Sequence, residues 1–242
     1  MPVARVSKAP EERREQLLDV AAGLCASVGF DAFSIDQLTR EASVAKGTFY
    51  YYFDSKDDLL AALVERFVDA LFAELEATAG RLEGTGIVRF RTLMLGATAW
   101  KTGHVDDALG FVPLLYKREN LALRYHLFDE WAGRMREIFL PLIELGTADG
   151  SLAVDDPEAT TDLVLSIWVE GASRMYDRAL VTTTEDAWVS TLLRGIDALT
   201  TAVERVLGAA PGSFRVPMDP ALLRAGRVPF LAALGGPSDH RT

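Results

Sequence analysis

Residues 33 to 60 contain three helix starts in quick succession, and that spacing limits what the chain can fold into more than any other feature. Ser34 is a good N-cap, Gln37 three residues later completes a capping box, and Phe33 and Leu38 sit at the two positions of a hydrophobic staple. This predicts a short helix over roughly 35 to 42. Val44 and Phe49 repeat the staple spacing around a second start near Ala45, and Phe49 with Phe53 at i, i+4 gives a helix over about 46 to 53 one apolar stripe. On a helical wheel Gly47, Thr48 and Tyr51 point furthest from that stripe, with Tyr50 and Tyr52 on its flanks. Three consecutive tyrosines cannot all face one core, so at least Tyr51 must point outward. Ser55 and Asp58 then cap a third, longer helix with Lys56 in its first turn. Short helix, tight turn, short helix is the plan in which the second helix enters a DNA major groove.

The run Lys46-Gly47-Thr48-Phe49-Tyr50-Tyr51-Tyr52-Phe53-Asp54-Ser55-Lys56, ending at Leu59 and preceded by the hydroxyl cap Ser34 and the small-residue turn Ala42 to Ala45, resembles the N-terminal pattern of the TetR family of bacterial transcriptional regulators. The resemblance covers residues 10 to 65; beyond them only the helical plan and the length agree. It implies that Thr48, Tyr50 and Lys56 take phosphates and that Lys46, Gly47, Tyr51 and Tyr52 lie on or near the bases, with Ser34 at the same surface. Gln37, at the start of the preceding helix, could also reach a base edge. Two positions depart from the pattern. The family usually has Gly where this chain has Ser43, and a hydroxyl cap where it has Ala45. A cap lost to Ala costs about 1 kcal/mol, and a non-Gly residue in a left-handed turn adds strain, so the reading helix is expected to be less firmly set unless Ser43 caps it.

The net charge of −10 is awkward for a DNA binder, but residues 1 to 56 hold seven Lys/Arg against eight Asp/Glu, so most of the acid lies elsewhere. Arg5, Lys8, Arg13 and Arg14 concentrate positive charge in and beside an N-terminal arm, where phosphate contacts are useful. No apolar run approaches membrane-spanning length and no leader is visible, so the expectation is a cytoplasmic protein. The single cysteine, Cys25, lies on an apolar helical stretch and reads as a small buried hydrophobe.

An all-α fold is expected throughout, since no alternating strand pattern occurs. Pro10 starts a first helix with Leu17, Ala21, Leu24 and Val28 on one face and a stop at Gly29. The helix from Lys56 to about Ala79 is too long for the small N-terminal unit to cover, so it bridges into the rest of the chain and reads as the lever that alone touches both sites. After a break at Gly80 to Gly86, helices are expected over 87 to 103, 105 to 117, 119 to 146 with a kink at Pro141, 157 to 180, and 184 to 207. The division is an N-terminal arm and helix-turn-helix domain (1 to 55), a helical regulatory and dimerisation domain (56 to 208), and a Gly/Pro-rich tail (209 to 242) of undefined role with a turn or two of helix at Pro220 to Ala225.

Residues 90 to 180 are dense in Trp100, His104, Phe111, Tyr116, Tyr125, Phe128, Trp131, Trp168, Met175 and Tyr176, together with His126. Such residues build a helical core, and aromatic groups with polar tips also line apolar ligand cavities. By resemblance, a small apolar or aromatic effector would bind among these helices, with His104 and His126 as orienting groups. A two-fold homodimer is expected through Leu163, Ile167, Gly171 and Arg174 on one long helix and Trp188, Leu192, Ile196, Leu199 and Val203 on the next, a heptad-like seam that would otherwise expose a large apolar strip. Metal-ligand spacings, phosphate loops and nucleophile elbows are missing from the sequence, so no enzyme activity, metal or cofactor is expected. The reading is a DNA-binding regulator, most simply a repressor released from a palindromic operator by its effector. Alternatives are a helix-turn-helix module that binds protein, or an enzyme in the helical domain.

Overall fold

A computed structural model describes residues 9–105 and 109–234; Arg5, Lys8 and the rest of the basic arm lie outside the described residues, as does the end of the tail. Nine α-helices and no strand occur among them: α1 Pro10–Val28, α2 Ile35–Glu41, α3 Lys46–Tyr52, α4 Lys56–Ala79, α5 Gly86–Gly103, α6 Leu121–Ala148, α7 Pro157–Leu180, α8 Glu185–Val206 and α9 Pro220–Ala233. No helix among the described residues is long and apolar enough to cross a membrane. The local signals act where expected. Ser34 Oγ accepts from Gln37 N at 3.1 Å, Ser55 Oγ from Asp58 N at 3.0 Å and Thr184 Oγ1 from Ala187 N at 3.2 Å. One cap comes from far along the chain: the Asp149 carboxylate accepts from Gly86 N at 2.7 Å, doing for α5 what its own Thr85 does not. That bond and those from Ser151 hold the Asp149 carboxyl below its usual range.

The N-terminal core is built by Leu17 and Leu18 of α1, Leu38 of α2, Phe49 of α3, Phe53, and Leu59, Leu60 and Leu63 of α4. The N-terminal core therefore runs past residue 55, where the first domain is expected to end, and takes in the first two turns of α4. Phe111, Leu114, Leu115 and Leu127 belong to the same cluster. Where a continuous helix over 105 to 117 is expected, a 3-10 segment, Val112–Tyr116, opens at Pro113 and wedges against the N-terminal unit. Lys117, next in the chain, pairs with Asp31 in the α1–α2 connection. So α4 is not the only element that reaches both halves.

The second core gathers Leu75, Phe90, Phe139, Ile143, Val164 and Val203, with the Phe90 ring tilted against those of Phe139 (4.8 Å) and Phe214 (5.2 Å). Phe214 comes from the tail. Buried Glu204 holds it there, its carboxylate accepting from Gly212 N at 2.9 Å and Phe214 N at 2.8 Å. The tail then forms α9, 14 residues long where a turn or two of helix over Pro220 to Ala225 is expected, and it lies on α8 and the 3-10 segment.

This packing corrects the dimer assignment. Trp188, Leu192 and Val203 are 2%, 2% and 1% exposed within a single chain, so these three residues of the expected α8 seam face their own core. Gly171 is taken as well: a Cβ there would sit 2.1 Å from Leu199 Cδ2, and the reciprocal Gly195 would meet Met175, so α7 and α8 interlock side chain into glycine. Leu163 and Arg174 remain exposed, and Ile167, Ile196 and Leu199 half-buried.

Candidate nucleic-acid interface and regulatory recess

α3 has one buried face and one free face. Phe49 is 0% and Phe53 2% exposed, their rings 5.5 Å apart. On the other side Tyr51 is 74% and Tyr50 48% exposed, Lys46 and Gly47 are exposed, and Thr48 is half-buried. Tyr52 is half-buried, packed against the N-terminal core, and its ring meets Tyr51 edge to face at 4.8 Å. A Cβ on Gly47 would meet nothing within 4 Å, so the fold itself does not demand glycine there.

Four expected side chains are engaged within the protein. Lys56 does not project to solvent: its Nζ donates to the Phe30 and Phe33 carbonyls, the latter at 2.6 Å, and lies over both aromatic rings. Burial pulls its pKa down, opposed by Asp31. Both carbonyls belong to the α1–α2 connection, so Lys56, expected as a phosphate ligand, instead staples that connection to the first turn of α4. Lys46 pairs at 2.8 Å with Asp36 of α2, an exposed contact that holds its pKa above the ordinary lysine value. The Ser34 hydroxyl is occupied by the α2 cap, and the Gln37 side chain reaches forward to Glu41 at 3.0 Å instead of back to close the capping box.

The turn between α2 and α3 shows what the two departures do. Ser43 adopts φ +54°. Its amide donates to Arg40 O and that of Val44 to Thr39 O, so the carbonyls ending α2 are satisfied by the motif that usually places Gly at this position. Ser43 therefore terminates α2 and does not cap α3. Ala45 occupies the N-cap of α3 without a side-chain bond. The turn is held instead by Gln16 Nε2, which donates to Ala42 O at 2.9 Å.

The aromatic residues of the helical half beyond α4 do not converge on one cavity. Phe111 is in the N-terminal core, and Trp100 packs on Phe67 at 5.1 Å. His104 is exposed and stacks on Trp100 at 4.1 Å, its Nδ1 2.8 Å from Trp100 O; His126 is also exposed. Both histidines, expected as orienting groups, thus lie at the surface and outside the lining of the α6–α7 groove. Trp168 packs on Phe139 and Trp131 on Phe128, as core does. Tyr125 and Phe128 line a groove of about 660 Å³ between α6 and α7, floored by Ala132, Leu165 and Val169 and closed at its ends by the Arg124–Asp177 (3.4 Å) and Arg136–Asp162 (3.0 Å) ion pairs. Tyr116, Met175 and Tyr176 form a separate aromatic box with Trp188 and Phe230. Burial pushes both tyrosine hydroxyls well above their usual range. Phe230 and the Lys117–Asp31 pair carry no sequence signal; both depend on contacts between residues far apart in the chain.

Residues 17–63 match the family model described as bacterial regulatory proteins, tetR family. The chain is 28% identical over 159 residues to the HTH-type transcriptional repressor KstR2 of Rhodococcus jostii (strain RHA1), covering 64% of this chain and 74% of that protein. It is 37% identical over 68 residues to the HTH-type transcriptional regulator HbdR of Aromatoleum sp. (strain CIB), covering 28% and 30% of the two chains. Among solved structures, a TetR-family transcriptional regulator from Pectobacterium atrosepticum superimposes with a TM-score of 0.59 at 24% identity, over 82% of this chain and 95% of that one. A transcriptional regulator from Cytophaga hutchinsonii gives 0.58 at 14% identity, over 80% and 94%.

Proposed function

The chain is a TetR-family transcriptional regulator, and from that premise we propose that it is a repressor that binds a palindromic operator as a homodimer and lets go when a small apolar or aromatic effector enters the helical half. The free face of α3 carries the reading: Tyr51 and Tyr50 stand exposed beside a glycine that nothing inside the protein requires. A side-chain-free position next to exposed hydroxyl and aromatic groups lets a DNA backbone come close, with Thr48 and Tyr50 at phosphates and Lys46, Tyr51 and Tyr52 toward base edges. Lys46 would have to exchange Asp36 for DNA. Repression is supported by the likeness to KstR2, whose name describes a repressor. Family membership sets aside the enzyme reading, because these regulators act by binding DNA.

The homodimer would use the outer faces of α7 and α8, where Leu163 is 56% exposed and Ile167, Arg174, Ile196 and Leu199 remain accessible. Two copies of α3 then sit about one DNA turn, or a multiple of it, apart. An effector acts by preferring one arrangement of α4 and the 3-10 segment, and shifts DNA affinity only by its differential affinity for the two states, usually about 1–3 kcal/mol or 5- to 150-fold. Sequencing the genomic fragments that the purified protein retains tests the reading: a shared inverted repeat supports it, and retention without any common sequence rejects it. Sedimentation of the protein without DNA should show a dimer at micromolar concentration.

A further inference from the structure

We propose that Phe230 is a tethered occupant of an aromatic binding site, which an uncharged flat aromatic molecule enters by displacing α9; the inference rests on the effector-controlled reading above. Phe230 is the one buried residue of α9, 6% exposed, whereas Leu222 and Val228 on the same helix are 46% and 68% exposed. Its ring lies parallel to Tyr176 (5.5 Å, 2°), and Trp188 (5.5 Å, 57°) and Tyr116 (5.9 Å, 48°) meet it at an angle. Stacked and tilted contacts of this kind are set by ring quadrupoles and serve any neutral aromatic ring equally well.

The remaining attachments of α9 are few. Arg224 pairs with Glu185 (3.4 Å) and Asp186 (3.0 Å) on the surface, where such pairs contribute little, and Trp188 Nε1 donates to Leu223 O at 3.1 Å. Pro229, directly before Phe230, removes a bond from the helix ladder. Leu223 and Leu234 pack half-buried beside Phe230, and Arg227 reaches Thr183 O at 3.5 Å. A helix with a single fully buried side chain opens below the cost of global unfolding.

The box has an entrance and an output. Arg124 lies over the Tyr116 ring at 5.0 Å and pairs with Asp177, and both residues also line the α6–α7 groove, so one ion pair separates groove from box. Tyr116 ends the 3-10 segment whose Leu114 and Leu115 are 1% and 0% exposed against the DNA-binding unit, and the next residue holds Asp31. A change at the box wall therefore reaches the α1–α2 connection through one short, rigid turn.

Full-length protein titrated with indole by calorimetry, beside Phe230→Ala and Arg224→Ala, tests the proposal. Removing the internal competitor should tighten indole binding at least about tenfold in Phe230→Ala, because the competent fraction rises. Arg224→Ala loosens α9 without touching the box and should tighten binding roughly two- to fivefold; it carries the test if Phe230→Ala does not fold. Saturating indole should speed tryptic cleavage after Arg227 severalfold in the unmodified protein. Equal indole affinity across the three proteins, no binding to any of them, or slowed cleavage after Arg227 overturns the proposal. If the protein retains no genomic DNA, the regulatory reading fails while these measurements still decide whether Phe230 fills a site.

Discussion

The ammonium of Lys56 donates to the main-chain carbonyl of Phe33 at 2.6 Å, joining the first turn of α4 to the residue that precedes the cap of α2. This contact, with its companion to Phe30, fixes the angle at which α4 leaves the three-helix unit. Lys56→Met is expected to destabilise the N-terminal unit by about 1–3 kcal/mol, because two partly buried carbonyls lose a charged donor. A phosphate contact would instead lower the salt slope of DNA binding by about one when removed. Melting and salt-dependent DNA titrations of the variant separate the roles: an unchanged melting temperature with a reduced slope returns Lys56 to the DNA.

Tyr51 and Phe53 sit two residues apart at 74% and 2% exposure, and their truncations should diverge accordingly. Tyr51→Ala is expected to leave the melting temperature nearly unchanged and to weaken DNA binding; Phe53→Ala should cost about 3–5 kcal/mol in stability. Parallel denaturant melts and gel shifts decide it, and an unfolded Tyr51→Ala protein would contradict the free face of α3.

The α2–α3 turn has stability in reserve. Ser43 at φ +54° carries left-handed strain that glycine would relieve, and Ala45 leaves α3 without a side-chain cap. Ser43→Gly and Ala45→Ser should each stabilise the N-terminal unit by about 1 kcal/mol. The two residues are close enough to couple, so the double variant is the informative measurement.

Gly86 lies where α5 crosses the end of α6, and a Cβ there would fall 2.2 Å from the Gly146 backbone. Backbone cannot rotate aside, so Gly86→Ala should separate the two helices and cost about 1–3 kcal/mol or more. It should also weaken the bond from the residue-86 amide to the Asp149 carboxylate, which an upfield-shifted or exchange-broadened amide signal at that position in the variant would report.

Burial pushes the Cys25 thiol up to about 12, with Lys56 pulling it the other way. The unfolded thiol ionises near pH 8.5. Above that pH the unfolded chain sheds the proton while the folded chain keeps it, so the contribution of this group is intact below about pH 8.5 and is lost as the pH rises toward 12. At pH 8 a thiol reagent should modify the native protein only as fast as the chain opens; labelling at the rate of a free thiol would show that Cys25 is accessible.

Most of the helix plan could be read from the sequence because caps, staples and i, i+4 stripes act within a turn or two of the chain: Ser34, Ser55 and Thr184 start helices where their hydroxyls stand. The outward direction of Tyr51 followed from the same local geometry, since Phe49 and Phe53 had already taken the buried side. Which partner meets a given apolar stripe is not a local property. Trp188, Leu192 and Val203 form a seam that could equally have faced a second chain, and only the interlocking of α7 with α8 and the return of α9 turned it inward. Likewise Lys56 has the reach for phosphate or for carbonyl, and the carbonyls of Phe30 and Phe33 came within reach only once α1 and α4 had packed. Phe230, one aromatic in a Gly- and Pro-rich tail, acquired its three ring neighbours from residues 42 to 114 positions earlier, a pairing that long-range packing alone could decide.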